Sequence, residues 1–162
     1  MANVGEKTRF NIFYKARSEA SKNNEQLGSR SGASDMMCID QGRLYRIESG
    51  VANPYPEEIR LMANLYNAPE LENYYCTHMC PLGYGMPKAE IADLDRISLV
   101  AIAAFRKLAR LEGELIDITE DGIISEDEKP ALERIIANLE ELGVVTQNLK
   151  IWARKNLREM EE

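Results

Sequence analysis

Residues 40–50, Asp-Gln-Gly-Arg-Leu-Tyr-Arg-Ile-Glu-Ser-Gly, contain the signals of a short amphipathic helix with both ends marked. Asp40 is a candidate N-cap, because its carboxylate can accept a hydrogen bond from a free backbone N–H of the first turn. Leu44 and Ile47 are three residues apart, so they share one side, which we expect to be buried. Gly50 suits the left-handed conformation that often ends a helix.

The opposite side of this helix carries Gln41, Arg43 and Arg46. Gln and Arg side chains can form paired hydrogen bonds with base edges, and Arg also binds phosphate. A helix that presents this set is most simply explained by DNA, so we interpret it as the groove-entering helix of a helix-turn-helix.

A second predicted helix precedes it. Residues 29–37 begin with Ser29, a good N-cap, and are predicted to turn Ala33, Met36 and Met37 inward. Ala33 and Ser34 are small enough for two helices to cross closely. Cys38 and Ile39 would then form the turn.

Three more helices complete this part of the chain. Phe10, Phe13, Tyr14 and Arg17 indicate a first helix, and Ile59 to Tyr66 indicate a fourth, which follows prolines suited to helix entry. Pro69 opens a short fifth helix that runs past Tyr74.

Arg-Leu-Tyr-Arg-Ile-Glu-Ser-Gly at 43–50, with Asn53-Pro54 and residues 57–63, resembles the Cro/cI-like, or XRE, family of helix-turn-helix regulators. The resemblance covers roughly residues 9–75. It is similar to a bacterial and phage-derived subgroup that continues into Tyr74-Tyr75-Cys76 and Cys80-Pro81.

The resemblance implies a five-helix, lambda-repressor-like domain that binds specific double-stranded DNA sequences as a homodimer on paired half-sites. We expect Gln41 and Arg46 to contact bases, and Arg30 and Arg43 to contact phosphates. Asn53 resembles the family position that contacts the DNA backbone after the groove-entering helix.

Two positions depart from the family pattern. Cys38 occupies a turn position where the family usually has Gly, because the backbone there favours positive φ. Gly42 replaces a base-reading side chain. The alternative function is therefore a protein-interaction module that keeps the fold and has lost operator reading.

Charge is distributed unevenly along the 162 residues, whose net charge is −7. Residues 1–46 contain eight Lys or Arg and five Asp or Glu; residues 47–75 contain one and five; residues 76–162 contain 11 and 17. Positive charge is thus concentrated where phosphates would bind, and we expect the acidic half to face away from DNA.

The chain is predicted to divide into a DNA-binding domain over residues 1–80, a linker over 81–87 and a helical hairpin over 88–162. The linker has two Gly and two Pro in seven residues. Apolar residues recur at helical spacing from about Lys88 to Leu115 and from about Asp127 to Met160.

Apolar residues also lie outside a single stripe of these two long helices: Val100, Ile102, Ile136, Val144 and Ile151. A second copy would cover them in a four-helix bundle, so residues 88–160 are predicted to form a homodimer. The alternative is that the hairpin packs back onto the DNA-binding domain.

Residues 117–128 partly match a calcium-binding loop, with Asp117, Asp121 and Glu128 at ligand positions. The simpler interpretation is a helix-to-helix turn at Asp121-Gly122. Ser125 and Glu128 would then form a capping box, or Asp127 would be the cap.

Cys76, His78 and Cys80 form a second ligand-like cluster. They could bind a soft metal or act as a redox pair, but zinc requires a fourth ligand. The simplest interpretation is two reduced cysteines that close the fifth helix, and we expect no bound metal or cofactor.

No catalytic motif appears, and His78 is the only histidine, so we do not expect an enzyme. No apolar run reaches the ~20 residues of a membrane span, and the N-terminus lacks a secretory pattern. With three cysteines, an odd number, the expectation is a cytoplasmic protein without structural disulfides.

Overall fold

The computed structural model describes residues 11–157, and every regular element in that part of the chain is helical. The chain forms two compact units, Met1–Met86 and Pro87–Glu162. Among residues 11–157, five α-helices belong to the first unit and two long ones to the second. The predicted all-α fold, five short helices followed by a hairpin, is confirmed.

The N-terminal unit contains α1 to α5 and two 3-10 helices. The α-helices are α1 Ile12–Ala20, α2 Arg30–Met37, α3 Gln41–Glu48, α4 Pro56–Leu65 and α5 Glu70–His78. The 3-10 helices are Glu25–Gly28 and Pro81–Gly83. Phe10, predicted to belong to the first helix, lies outside the described residues.

The ends of α2 and α3 follow the sequence signals. Ser29 Oγ accepts a hydrogen bond from Gly32 N at 3.0 Å, and Asp40 Oδ1 accepts one from Arg43 N at 2.8 Å. Cys38 has φ 54° in the turn, and Gly50 has φ 72° after α3. The two predicted caps and the positive φ at both turn positions are confirmed.

One core contains the inward faces of all five helices. Leu44 and Ile47 are fully buried, as predicted. The other buried hydrophobic residues of this core are Phe13, Leu27, Ala33, Met37, Ile59, Met62, Ala63, Tyr66, Ala68 and Leu71.

The prediction that Met36 faces inward is wrong, since 43% of this residue is exposed. Ala33 and Met37, one turn apart, provide the buried line of α2. Met36 lies on its flank, where its sulfur is 3.9 Å from Asn24 Nδ2.

Two glycines allow backbone segments to pack directly on helices. A Cβ at Gly32 in α2 would lie 2.1 Å from the carbonyl oxygen of Gln26 in the first 3-10 helix. A Cβ at Gly83 would lie 1.6 Å from the carbonyl oxygen of Cys76 in α5. No residue with a side chain fits either position, so both 3-10 helices are fixed against their neighbours.

The C-terminal unit is an antiparallel hairpin of α6, Leu94–Thr119, and α7, Lys129–Asn156. Lys107 Nζ is 2.6 Å from Glu141 Oε2, and Arg134 forms an ion pair with Glu114. Seven residues separate the paired positions on each helix, which fixes the register. The buried residues of this unit are Ile97, Ala104, Ile118, Ile135, Val145 and Ile151.

The bounds of both long helices differ from the predicted ones. α7 begins at Lys129 rather than near Asp127 and ends at Asn156, and its predicted end, Met160, lies outside the described residues. α6 begins at Leu94 rather than near Lys88, and it continues through Thr119 rather than ending near Leu115. Residues 88–93 are not helical, because Glu90 N donates to the Asn148 side chain of α7 at 2.8 Å. A partner so distant in sequence is invisible to local periodicity.

Apolar residues outside the helix contact follow the prediction only in part. Val100, Ile102 and Ile136 are exposed as expected, whereas Ile151 is buried and Val144 is half-buried. Val144 and Ile151 therefore do not belong to an uncovered surface. Within residues 11–157, no helix is both long and apolar enough to cross a bilayer.

Candidate functional site

The outward side of α3 presents Gln41, Tyr45 and Arg46 to solvent. Gln41 and Arg46 form no side-chain hydrogen bond or ion pair with any residue between 11 and 157. Arg46 Nη1 lies 3.6 Å from the position that a Cβ would take at Gly42. The glycine therefore leaves room for the Arg46 guanidinium along the helix surface.

The inward side of α3 ends in a buried carboxylate, Glu48, which is fully inaccessible to solvent. Glu48 Oε1 accepts a hydrogen bond from Arg17 Nε at 2.5 Å. Glu48 Oε2 accepts from Arg17 Nη2 at 3.1 Å and from Arg30 Nε at 2.6 Å. One carboxylate thus links α3 to both α1 and α2.

Arg17 completes this buried network. Its Nη1 donates to the Leu27 carbonyl oxygen at 2.8 Å, which also ties in the first 3-10 helix. Burial alone would lower the pKa of Arg17, but the hydrogen bond and the charge of Glu48 outweigh it and raise that pKa. The arginine therefore stays charged inside the unit.

Arg30, a predicted phosphate contact, connects the buried network to the surface. Its guanidinium carbon lies 5.1 Å from the centroid of the Tyr45 ring, a cation–π distance. Its side chain is 28% exposed while its Nε is hydrogen-bonded to Glu48. Arg30 thereby supports the outward ring of Tyr45.

Arg43 connects α3 to the start of α4. Its Nε and Nη2 donate to the two carboxylate oxygens of Glu58 at 2.9 and 2.8 Å, and Nη2 also donates to Asn53 O at 2.9 Å. Its guanidinium carbon lies 4.5 Å from the Tyr55 ring centroid. The Arg43 side chain is 18% exposed, while Asn53 lies exposed beside it.

Glu58 is held ionised by these contacts. Burial would raise its pKa, but the hydrogen bond from Arg43, the backbone N–H of Tyr55 and the Arg43 charge outweigh burial. The pKa of Glu58 is therefore lowered from its ordinary value of 4.5.

Cys76, His78 and Cys80 are not arranged as the ligands of a metal site. The His78 ring stacks on Tyr74 with a centroid distance of 4.3 Å, and its Nδ1 is 2.8 Å from Thr77 Oγ1. Both thiols are free and half-buried, and burial raises the pKa of Cys76. Across residues 11–157, no group of three or more His, Cys, Asp or Glu is arranged to hold a metal.

Residues 120–128 connect the two long helices and contain the predicted turn at Asp121-Gly122, while Asp117 lies in the last turn of α6. Asp121 Oδ1 accepts from Ile123 N at 2.9 Å, and Gly122 has φ 73°. Glu128 Oε2 accepts from both Ser125 N and Ser125 Oγ.

The capping residue in this turn differs from both predicted candidates. α7 begins at Lys129 with Glu128 at the N-cap position, so neither Ser125 nor Asp127 occupies it. Pro130 consequently falls at the second helical residue, where its missing N–H is tolerated.

Two carboxylates central to this site, Glu48 and Glu58, were absent from the sequence-based assignment. Glu48 had a recognisable signal: it follows Leu44 by one turn, so a charge lies on the predicted buried side and requires a buried cation. Glu58 lay inside the quoted family motif, but its partner Arg43 is fifteen residues away.

Comparison of the chain with protein-family models, with curated protein sequences and with solved structures found no match.

Proposed function

We propose that this protein is a transcriptional regulator that binds specific double-stranded DNA sequences through the outward side of α3. The observation that carries the proposal is the contrast between the two sides of that helix. Glu48 anchors the inner side through Arg17, whereas Gln41, Tyr45 and Arg46 point outward, and the side chains of Gln41 and Arg46 form no hydrogen bond or ion pair with any described residue. A rigid helix with free hydrogen-bonding side chains meets the needs of groove recognition.

The paired arginines take supporting roles in this proposal. Arg30 and Arg43 already bind Glu48 and Glu58, so their charge is largely compensated. We assign Arg46 and Gln41 to base edges, and the remaining N–H groups of Arg30 and Arg43, with Asn53, to phosphates. We further propose that the protein acts as a homodimer formed by its hairpin, which would place two copies of α3 on paired half-sites.

The proposal is tested by selecting duplexes from a random pool with the full-length protein. Arg46→Ala should weaken binding to a selected site by roughly 10- to 100-fold and relax its specificity. Arg110→Ala is the matched control, because it removes the same charge from an exposed position of the hairpin. Equal binding by the parent and Arg46→Ala would contradict the role of Arg46, and failure to enrich any sequence would contradict the function.

A protein-interaction module is the second candidate function. It is favoured by the ion pairs of Arg30 with Glu48 and of Arg43 with Glu58, because they leave little uncompensated positive charge around α3. Salt separates the two functions: affinity for duplex DNA should fall steeply with ionic strength if several phosphates are contacted. Absence of duplex binding even at low salt would favour the interaction module.

A further inference from the structure

The two sides of the hairpin differ in chemistry. On one side, ion pairs join Lys107 to Glu141 and Glu114 to Arg134. Each of these four residues immediately precedes an apolar residue of the stripe through which the two helices contact each other; Lys107, for example, precedes Leu108. We call the residues of this stripe contact residues. The ion pairs bridge the two helices, so their residues lie on the same side of the hairpin. In both helices, positions that precede a contact residue therefore lie on this side, the ion-pair side.

Positions that follow a contact residue must then share the opposite side, which we call the open face. Its apolar residues are Ile102, Phe105, Ala109 and Ile116 on α6, and Ile136 and Leu139 on α7. Its five large apolar residues are 45–60% exposed. The non-helical residues Glu90 and Ala92 line a pocket together with Arg96 and Glu141, on the ion-pair side.

We propose that the open face binds the open face of a second copy of this chain, about a two-fold axis. The proposal deepens the homodimer of the proposed function by naming the surface that forms it. Taking roughly 150–200 Å² for each large side chain when fully exposed, the face offers about 400–500 Å² of apolar surface. An interface of about 800 Å² per copy that is about 65% apolar requires a similar amount, about 500 Å².

The arrangement of residues on the face fits a two-fold axis. The register that aligns Lys107 with Glu141 places Ala109 level with Leu139. Large apolar side chains lie on both sides of that level, with Ile102 and Phe105 towards one end and Ile116 and Ile136 towards the other. A two-fold axis at this level, perpendicular to the helices, places the apolar residues at one end of the face against those at the other end of the second copy's face.

Charge supports the same axis. Glu112 follows Leu111, so it occupies an open-face position of α6, and it forms no ion pair with any described residue. It lies three residues after Ala109, and Arg106 lies three residues before it. Antiparallel packing centred on Ala109 therefore places Glu112 level with Arg106 of the second copy, at the edge of the face.

A pair of identical substitutions tests the face in the full-length protein. Ala109 and Ala103 are both exposed residues of α6, but Ala103 precedes Ala104 and so lies on the ion-pair side. In analytical ultracentrifugation, the parent and Ala103→Glu should be dimers. Ala109→Glu, which buries a carboxylate at the axis, should raise the dimer dissociation constant by at least roughly 100-fold. Circular dichroism should show equal helix content in all three proteins.

Cross-linking gives a second readout that does not depend on disrupting the dimer. Ala109→Cys should form an intermolecular disulfide under mild oxidation beyond any formed by the three native cysteines, and Ala103→Cys should not. A monomeric parent at ~100 μM would overturn the proposal and indicate that another part of the same chain covers the face. Dimers of equal stability in the parent, Ala103→Glu and Ala109→Glu would also overturn it.

DNA titration keeps this proposal separate from the proposed function. Monomeric Ala109→Glu should still bind a single half-site while losing the added affinity for paired half-sites. A dimer that depends on Ala109 but binds no duplex would contradict the DNA-binding function and leave the open face supported.

Discussion

The two units of this chain are similar in described length but differ in how completely they close. In its described part, the N-terminal unit buries twelve hydrophobic residues in one core, and a charged network inside it satisfies Glu48. The described part of the hairpin buries six hydrophobic residues, and its ion pairs lie on the surface. Two helices cannot enclose a core, so large apolar side chains such as Phe105 stay in solvent.

This difference separates two kinds of exposed surface. On α3 the exposed residues are polar and stand on a finished core, which suits recognition of a polar ligand. On α6 and α7 the exposed residues are apolar, because two helices cannot enclose a core, and such a surface is suited to binding another protein. Substitutions should accordingly have large effects on folding in the first unit and small ones in the second.

The largest expected effect is at Glu48. Glu48→Ala leaves Arg17 charged and buried without its carboxylate, so the first unit should lose about 3–5 kcal/mol of stability. Glu141→Ala removes the exposed partner of Lys107 and should cost about 1 kcal/mol or less. In urea titrations, the fluorescence of Trp152, the only tryptophan, follows the hairpin, while circular dichroism follows both units. A Glu48→Ala protein that unfolds like the parent would erase the contrast between the units.

The next effect compares two glycines within helices. Gly32→Ala forces a methyl group against the Gln26 carbonyl oxygen and should destabilise the first unit by about 2 kcal/mol. A Cβ at Gly113 in α6 meets no atom within 4 Å, so Gly113→Ala should stabilise the hairpin by about 1 kcal/mol. Opposite shifts of the two unfolding midpoints are expected; shifts of the same sign would show that the close approach at Gly32 relaxes freely.

The smallest effect depends on pH. Because the folded state lowers the pKa of Glu58, its ion pair with Arg43 stabilises the first unit above the ordinary value of 4.5 and is lost as the pH falls below it. At pH 7 the parent should be more stable than Glu58→Gln by about 1 kcal/mol. That difference should shrink steadily below pH 4.5 in thermal unfolding; a constant gap would contradict the lowered pKa.

Local signals in the sequence were sufficient for the short helices of the first unit and for the caps of α2 and α3. Ser29, Asp40 and Gly50 act within one or two turns of their own positions, and Leu44 with Ile47 needs only helical spacing to show which side is buried. The same reasoning failed at Met36, because two buried residues already filled the inner line of a very short helix.

Partners distant in sequence could not be predicted in this way. Glu90 leaves the expected helix for Asn148, and Arg43, assigned to phosphate from its outward position, binds Glu58. The spacing of residues in the sequence predicts which side of a helix a residue occupies. Its binding partners depend on which other segment of the chain packs against that side. The assignments of Gln41 and Arg46 stay predictions.

The turn at Cys38 also bears on tolerance to mutation. A non-glycine residue with φ 54° pays about 1 kcal/mol for its left-handed backbone, and glycine at this position would recover most of it. The turn between α2 and α3 is therefore a position where one substitution would increase the stability of the protein. A lineage that acquired Cys38→Gly could accept a new, mildly destabilising side chain on α3, and so explore new ligands, without losing the fold.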